Sequence, residues 1–436
     1  MTDASPSSAL PAEPATLAQI GQQLAGYDPQ ALSADAVLAF LEQMVQPLAG
    51  AESVPLLQAL DRVLAEHVIS PLSVPPHDNS AMDGYAFCGD SLPEAQRLQV
   101  VGTALAGKAW VGQVLQGQCV KIMTGAIMPP GLDTVVPQEL TQRDGDLVQI
   151  TAGLLQRGDN RRLCGEDLMQ GQVALQAGTR LGPAACGLVA SLGLSQVRVR
   201  PRLKVAYFST GDEILSLGEA PREGAVYDSN RYTVHGMLHH MGCEVLDLGV
   251  VRDDPAQLEA AFTQAAAQAD VIITSGGVSV GEADFTKTMM KKLGDVAFWR
   301  IAMRPGRPMA VGRIPQGDRS AVLFGLPGNP VAVMVTFLAF VRPTLQRMMG
   351  MQATALPLLK ARSQEVLRKK PGRTEYQRGI VSRNAQGELQ VQTTGNQGSG
   401  VLSSMVQANG LMVLHHDQAT AQVGDWIDVM MFEGHL

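Results

Sequence analysis

The chain has 436 residues, of which 45% are hydrophobic and only 4% aromatic, and its formal net charge is −7. This length predicts several domains. The acidic balance and the few aromatic side chains argue against nucleic acids and anionic membranes as partners. No apolar run approaches the roughly 20 residues that cross a bilayer. The 5 cysteines are scattered and include no CxxC pair, which is typical of reduced thiols in a cytoplasmic protein.

The first part of the chain predicts helical segments around a β-rich insert. Residues 1–30 are rich in Ala, Pro and Ser, which predicts a disordered tail without a signal peptide. Apolar residues at helical spacing follow in 33–48 and again in 53–68, within a segment that ends at residue 70. Short alternating runs between Gly and Pro in 71–169 predict a β domain. Residues 170–202 return to a helix and a strand.

From residue 203 onwards, strands and helices alternate regularly. Helices of 10 to 15 residues between strands indicate a doubly wound, parallel α/β sheet over residues 203–350. Asp254 before Pro255 and Asn329 before Pro330 are the pairs with which helices begin. The alternation in residues 351–436 predicts a separate C-terminal β domain.

Four loops follow strands of this sheet and should meet at its carboxyl edge, where open α/β sheets bind ligands. Three of them contain carboxylates and two contain glycine-rich turns. They are "STGDE" (209–213), "VRDDP" (251–255), "TSGGVSVGEAD" (274–284) and "GLPGNP" (325–330). Acids and free backbone N–H groups on one rim predict a divalent cation that bridges the protein to a phosphate.

Each feature also has a purely structural interpretation. Asp254 is expected to be only a helix cap, Asp212 suits a turn, and paired glycines after a strand often serve tight packing. Pro327 and Pro330 can simply stiffen a loop. The combination favours a ligand site because the fold places all four loops together.

Basic side chains that can balance an anion cluster in "WRIAMRPGRP". Arg300, Arg304 and Arg307 flank a Pro-Gly turn there. Guanidinium forks fit oxyanions, although a solvated turn has the same composition.

Three polar stretches of the predicted insert are either turn clusters or binding loops. They are "PPHDNSAMDGYAF" (75–87) with Asp83, "KIMTGAIMPPG" (121–131) with Thr124, and "RRLCGEDLMQGQ" (161–172) with Glu166 and Asp167. No protease or esterase motif is present, and the histidines do not fall at metal-ligand spacing.

Taken in order, the motifs resemble those of the MoeA family, the molybdopterin molybdenumtransferases. The matching motifs are "DNSAMDGYA", "IMTGA", "RRLCGED", "FSTGDE", "YDSNRY", "GVVRDD", "TSGGVSVGEADFTK", "MRPGRP", "GLPGNPVA", "PGRTEYQRG" and "GNQGSGVLSSM". The resemblance covers roughly residues 30–436. It implies a homodimer whose subunits have four domains: a segmented helical and linker domain, an inserted β domain, the α/β molybdopterin-binding domain and a C-terminal β-barrel-like domain.

The activity that this resemblance implies is the insertion of molybdenum from molybdate into adenylylated molybdopterin. The phosphoanhydride is cleaved, AMP is released and Mg²⁺ is required. The active cleft is expected between the α/β domain of one subunit and the inserted domain of the other, and a molybdopterin adenylyltransferase is a candidate partner.

The resemblance also assigns residues. Those expected to act on the anhydride are Asp83, Thr124, Asp167, Glu213, Asp253 and Asp284, of which the last three are expected to bind Mg²⁺. Those expected to bind the pterin substrate are Ser209, Thr210, Gly211, Ser275, Gly276, Gly277, Pro327, Gly328, Asn329 and Pro330. Those expected to bind molybdate are Arg304, Arg307, Arg378 and Ser399.

Two observations qualify these assignments. Positions 300, 304 and 307 hold Arg where many relatives have Lys, so the charge is kept and the geometry changes. Glu282 is expected to favour a helix start rather than to bind metal. Two other functions stay open: a molybdopterin adenylyltransferase, and a non-catalytic scaffold of the gephyrin type.

Overall fold

The computed structural model describes residues 15–24, 27–92, 96–278, 285–352 and 357–432. The chain forms two compact units. One is Glu52–Val199, and the other combines Met1–Ala51 with Arg200–Leu436. The second unit is therefore discontinuous in sequence, with the first inserted into it. The boundaries predicted for smaller domains stay predictions.

The helices begin mostly at a side-chain cap or at a proline in the first turn. Their bounds are α1 Leu17–Gln23, α2 Ala34–Met44, α3 Pro183–Ser191, α4 Ser229–His240, α5 Pro255–Gln268, α6 Phe285–Leu293, α7 Pro330–Thr336, α8 Arg342–Met348 and α9 Ser403–Gln407. Asp254 caps α5 by accepting a 2.9 Å hydrogen bond from Gln257 N–H, as the sequence predicts.

The inserted unit consists mainly of short strands, which confirms the predicted β character of the insert. They are β1 Glu52–Pro55, β2 Val68–Ile69, β3 Asn79–Ser80, β4 Gly84–Phe87, β5 Gln96–Ala104, β6 Gln118–Ile122, β7 Thr134–Pro137, β8 Thr141–Asp144, β9 Leu147–Ile150, β10 Arg161–Arg162, β11 Val173–Leu175 and β12 Gln196–Val199. Six of them form one sheet in the order β7-β4-β6-β5-β9-β8, and the pairs β1-β12, β2-β11 and β3-β10 are separate ladders.

The helix predicted over residues 53–68 is wrong. This stretch contains β1, a short 3₁₀ turn at Leu56–Gln58 and β2. Pro55 disfavours a continuous helix because it lacks an N–H, and Asp61 adopts a positive φ of 62°. The antiparallel partner of β1 is β12, a pairing too distant in sequence for local periodicity to reveal.

The second unit contains a six-stranded sheet and a barrel. Its strands are β13 Lys204–Thr210, β14 Ile214–Leu215, β15 Val226–Tyr227, β16 Glu244–Val251, β17 Val271–Ser275, β18 Asp295–Arg300, β19 Met303–Arg304, β20 Pro308–Gln316, β21 Arg319–Leu326, β22 Leu359–Ser363, β23 Thr374–Arg383, β24 Leu389–Thr393, β25 Gly410–Leu414 and β26 Trp426–Met431. The sheet order is β16-β13-β17-β21-β20-β18. The first four strands are parallel to one another. Strand β20 is antiparallel to β21, and β18 is antiparallel to β20.

This sheet is the predicted α/β architecture, with an antiparallel edge. Phe208, Phe262 and Leu323 belong to a fully buried core on one face, which α5 and α6 cover. Side chains alternate along a strand, so Tyr207 points to the opposite face. That alternation becomes important at the site.

The C-terminal part of the unit is a closed barrel, as predicted. Strands β23, β24, β22, β26 and β25 are hydrogen-bonded in that order, and β25 pairs back to β23. Strand β19, which carries Arg304, extends this sheet by pairing in parallel with the start of β23. The arginine segment is thereby attached to the barrel as well as to the α/β sheet.

The prediction of a disordered tail over residues 1–30 is wrong for the segment 17–23. These residues form α1, in which the Thr16 hydroxyl accepts a hydrogen bond from Gln19 N–H and the Gln19 side chain accepts one from Thr16 N–H. Leu17 and Ile20 are buried. The interpretation from composition failed because this apolar pair packs against distant parts of the chain.

α7 and α8 are joined by a π-helical turn, Phe337–Val341. Pro343 lies just beyond that turn; it lacks an N–H, and its ring would collide with a carbonyl in a regular α-helix. The combined helix Pro330–Met348 is long and, on average, apolar enough to cross a membrane, but 72% of its apolar window is buried inside the protein. Burial of that kind is also found in core helices.

Candidate functional site

The carboxyl edge of the central sheet gathers all four predicted loops, since Thr210 of β13 also lies opposite Val251 at the end of the parallel strand β16. Ser209 lies opposite Ser275, and Ser275 lies opposite Leu326, in the registers of neighbouring parallel strands. The segments that follow these residues therefore leave the sheet side by side. These three segments contain the residues predicted to bind the pterin substrate.

The arginine loop reaches the same edge because β20 runs the other way. Ala310 near the start of β20 pairs with Gly325 near the end of β21. The residues just before β20, including Arg304 and Arg307, thus arrive beside the loop that follows β21. Both arginine side chains are exposed.

A cavity of about 400 Å³ opens between these segments. Its lining combines backbone-rich turns with a few polar side chains. The lining residues are Glu213, Gly276, Gly277, Val278, Arg304, Pro305, Gly306, Pro308, Pro327, Gly328, Asn329, Ala332, Gln397 and Ser399. Eight of them are residues that the sequence analysis selected, and they come from the acid, pterin and molybdate sets.

Gly276 is required by the close approach of two strand ends. Its φ is +89°, and a Cβ atom there would lie 2.5 Å from the carbonyl oxygen of Thr210. Any larger residue would have to push the two loops apart, because neither backbone segment can yield easily. The glycine thus keeps this wall of the cavity close to the sheet.

Ser209, Thr210 and Ser275 do not line the cavity. They are 1%, 2% and 2% exposed. The Tyr207 hydroxyl lies 2.9 Å from Ser209 Oγ and 2.7 Å from Ser275 Oγ. Burial raises the pKa of Tyr207, and the two hydroxyl contacts lower it by a smaller amount. This network is a polar floor beneath the loops.

Gly211 and Pro330, which were also predicted to bind substrate, flank the cavity lining in sequence. A Cβ on Gly211 would lie 2.4 Å from the carboxylate of Glu213, so glycine allows that acid to fold back over the turn. Pro330 begins α7.

Arg378 is a buried clamp behind the cavity wall. It is 1% exposed, and its guanidinium donates to Ser404 Oγ at 3.0 Å and to the carbonyl oxygen of Gly398 at 3.0 Å. Its backbone N–H donates to Gln397 Oε1 at 2.8 Å. The Ser399 carbonyl in turn accepts from Val331 N–H at 3.1 Å. Arg378 therefore shapes the loop that presents Gln397 and Ser399.

On the cationic side of the cavity, the positive charges of Arg304 and Arg378 repel each other. Burial, and then the positive charge of Arg304, lower the pKa of Arg378. A bound anion would offset the repulsion between these guanidinium groups. Arg307 does not line the cavity, and its predicted role stays a prediction.

The acids are arranged less completely. Glu213 is exposed and lines the cavity. Asp253 is exposed in the neighbouring loop, where its N–H donates to Asp212 Oδ1 at 3.3 Å. Asp212 thus connects the two acidic loops. Asp284 and Glu282 lie outside the described residues, within which no group of three His, Cys, Asp or Glu is placed to hold a metal.

The three polar stretches of the inserted unit come together within that unit. Asp83 Oδ1 accepts hydrogen bonds from Thr124 N–H at 2.7 Å and from Thr124 Oγ1 at 2.8 Å. These two bonds hold the pKa of Asp83 below its ordinary value, with a smaller contribution from Lys121. Strand β10 pairs with β3 and brings the stretch containing Asp167 alongside. Asp167 is exposed, and its N–H donates to Val74 O at 3.1 Å.

Two contributors were missed by the sequence reasoning. Gln397 lines the cavity from the barrel, and Asn230 donates a hydrogen bond to the carbonyl oxygen of Gly328 in the loop after β21. Asn230 lies in the motif "YDSNRY" and Gln397 in "GNQGSG", so the motifs marked both regions without singling out the residues.

Known families match most of the chain. The MoeA N-terminal region, domains I and II, matches residues 32–193; a probable molybdopterin-binding domain matches 206–347; and the MoeA C-terminal region, domain IV, matches 360–432.

Individual relatives agree with these matches. The molybdopterin molybdenumtransferase of Haemophilus influenzae is 41% identical over 91% of this chain and 97% of its own length, and that of a Nostoc species is 36% identical over 83% and 84%. The crystal structure of the molybdopterin biosynthesis MoeA protein of Pyrococcus horikoshii superposes with a TM-score of 0.78 at 26% identity, covering 92% of this chain and 100% of that one. The chain therefore belongs to the MoeA family, the molybdopterin molybdenumtransferases.

Proposed function

We propose that this enzyme inserts molybdenum from molybdate into adenylylated molybdopterin, cleaving the phosphoanhydride and releasing AMP. The observation that carries the proposal is the cavity in which Arg304 and Ser399 face the Gly276–Gly277 turn and Glu213. Guanidinium and hydroxyl donors suit a small oxyanion, and glycine N–H groups suit a phosphate.

Cleavage of an anhydride depends on positioning and charge neutralisation, so the site needs no protein nucleophile. The turns after β17 and β21 would hold the pterin phosphate through their backbone. Arg304 would neutralise molybdate, and Arg378 would keep Ser399 in place through its contacts with the barrel loop. Molybdenum and the pterin are substrates here, and the dithiolene sulfurs of the pterin are its final ligands.

Mg²⁺ is proposed as the cofactor. Magnesium binds through one or two carboxylates together with substrate phosphates and water, and the exposed carboxylate of Glu213 on the cavity wall fits one such ligand. When bound, it would reduce the charge of the anhydride. Asp253 and Asp284 remain proposed ligands.

The remaining parts of the proposal concern the assembly. We propose a cytoplasmic homodimer in which Asp83, Thr124 and Asp167 of the inserted domain complete the cleft of the other subunit. The rigid Asp83–Thr124 pair gives that surface a fixed negative charge at neutral pH. A molybdopterin adenylyltransferase is the candidate donor of the substrate.

The direct test supplies the purified protein with adenylylated molybdopterin, Mg²⁺ and molybdate. Release of AMP that depends on molybdate, with molybdenum recovered on the pterin, is the expected result. Pyrophosphate release from ATP and molybdopterin in the absence of molybdate would instead identify an adenylyltransferase.

A non-catalytic scaffold is tested in cells that lack the enzyme. A chain carrying Glu213→Ala and Asp284→Ala should not restore cofactor synthesis. Full restoration would favour the scaffold.

A further inference from the structure

We infer that Asn230 is a positioning residue for the reaction, because it orients the Gly328–Asn329 peptide so that the Asn329 N–H faces the substrate anion. The inference rests on the proposed function of the cavity. It adds a residue from α4, an element that contributes no side chain to the cavity lining.

The central contact joins α4 to the loop after β21. Asn230 is 8% exposed, and its Nδ2 donates a 2.8 Å hydrogen bond to the carbonyl oxygen of Gly328. Gly328 and Asn329 both line the cavity, whereas Asn230 does not. The Gly328 carbonyl is therefore directed away from the cavity, towards the buried side of the loop.

The geometry of the peptide bond extends this contact to the next residue. The peptide between Gly328 and Asn329 is trans, since the cis bonds of the described chain lie elsewhere. In a trans peptide the C=O and N–H bonds point in opposite directions. A carbonyl held by Asn230 thus turns the Asn329 N–H towards the cavity. Within the described residues this N–H has no hydrogen-bond acceptor, so it is available to an anion.

The orientation of the Asn230 amide is fixed by the same contact. The reverse orientation would place Oδ1 against the Gly328 carbonyl oxygen, two acceptors face to face. In the observed orientation Oδ1 is buried without a partner, which is an unfavourable arrangement in a protein interior. The donor therefore has a use that outweighs the unsatisfied acceptor.

A second contact of Asn230 reaches the opposite wall. Nδ2 lies 3.5 Å from Ser275 Oγ, and Ser275 directly precedes the Gly276–Gly277 turn. Ser275 Oγ also lies 2.7 Å from the Tyr207 hydroxyl. One amide group thus connects the polar floor with both glycine-containing loops.

Two variants separate the orientation of the peptide from simple packing. Asn230→Ala removes the donor and leaves a void. Asn230→Asp has nearly the same shape, but an ionised carboxylate would repel the Gly328 carbonyl and favour rotation of the peptide. If the orientation of the peptide determines binding, Asn230→Asp should bind the substrate more weakly than Asn230→Ala. If packing determines it, Asn230→Ala should be the weaker binder.

We expect KM for adenylylated molybdopterin to rise about tenfold in Asn230→Ala and further in Asn230→Asp, since one lost anion contact is worth roughly that factor. The turnover number should change less than KM. Binding of pyrophosphate, measured by calorimetry as a probe of the anion site, should weaken in the same order.

Asn409→Ala is the matched control. Asn409 also braces a backbone, with hydrogen bonds of 2.8 and 2.9 Å to both polar atoms of Val381 in the barrel, so its loss should reduce stability without raising KM. An unchanged KM in both Asn230 variants, or a larger effect of Ala than of Asp, would overturn the inference. A wild-type protein that binds pyrophosphate but releases no AMP would defeat the proposed function instead.

Discussion

The guanidinium Nη2 of Arg378 donates a 3.0 Å hydrogen bond to the carbonyl oxygen of Gly398, next to the Ser399 that lines the cavity. Arg378→Met should therefore lower the free energy of unfolding by roughly 1–3 kcal/mol, because buried carbonyl groups lose their donor. Urea denaturation measures this change. Arg383→Met is the control: Arg383 lies in the same strand and is exposed, and among the described residues its guanidinium donates to Gly387 O alone, so a loss within about 0.5 kcal/mol is expected. Equal losses of unfolding free energy in the two variants would contradict the proposed role of Arg378 in holding this loop.

Arg304→Met should raise KM for molybdate about tenfold or more, since a charge-assisted contact to an oxyanion is lost. Steady-state kinetics at varied molybdate measures it. Arg300→Met is the control, because Arg300 is exposed at the end of β18 and does not line the cavity. A similar KM change in both variants would show a general effect of charge instead of a contact.

Gly276→Ala should abolish most of the activity and destabilise the protein. The added Cβ would lie 2.5 Å from Thr210 O, at a φ of +89°. Gly317→Ala separates the two causes, because Gly317 has a φ of +59° and nothing within 4 Å of its Cβ position. Thermal unfolding should show a clearly larger loss for Gly276→Ala. A loss no larger than that of Gly317→Ala would mean that the loops can move apart freely.

Thr124→Val should let the pKa of Asp83 rise towards its ordinary value, because the hydroxyl contact is removed, while the backbone contact and the smaller influence of Lys121 remain. The folded-state pKa of Asp83 lies below the reference value of 3.8. The stability that this group contributes is therefore present above pH 3.8 and is lost as the pH falls through the folded-state pKa. Carbon-13 NMR titration of the carboxyl groups, compared between wild type and Thr124→Val, tests this shift. An unchanged Asp83 titration would show that the side-chain bond has no influence.

Cys164 should react with iodoacetamide long before Cys119 and Cys243. Cys164 is exposed, whereas the other two are buried, and burial raises the pKa of each of those thiols to about 12. At pH 8 only on the order of one thiol in ten thousand would then be ionised at the buried positions. Mass spectrometry after timed alkylation of the native protein measures the order. Early labelling of Cys119 would indicate that the insert opens.

The sequence predicted the α/β sheet and many helix starts correctly because these follow local rules. Asp254 before Pro255 began a helix as expected. The segment 53–68 failed, since β1 exists through its pairing with β12, which no local pattern encodes. Likewise, apolar residues in a Pro-rich tail gave no sign that Leu17 and Ile20 are buried.

The site shows the same division. Loops at strand ends were predictable because parallel strands share one edge. The sequence did not show that Ser275 faces inward to Tyr207, because the face of a strand that looks towards a ligand depends on which helices cover it. Gln397 was missed for a related reason: it reaches the cavity only after the barrel has closed.

The appended barrel, as well as the α/β sheet, supplies polar side chains to the lining of the cavity. Ser399 and Gln397 belong to the barrel, and a hydrogen bond from Val331 N–H to Ser399 O joins their loop to the start of α7. A shorter protein that ended at Met348 would retain the glycine turns of the proposed phosphate site. It would lack Gln397 and Ser399, the two barrel side chains that line the cavity.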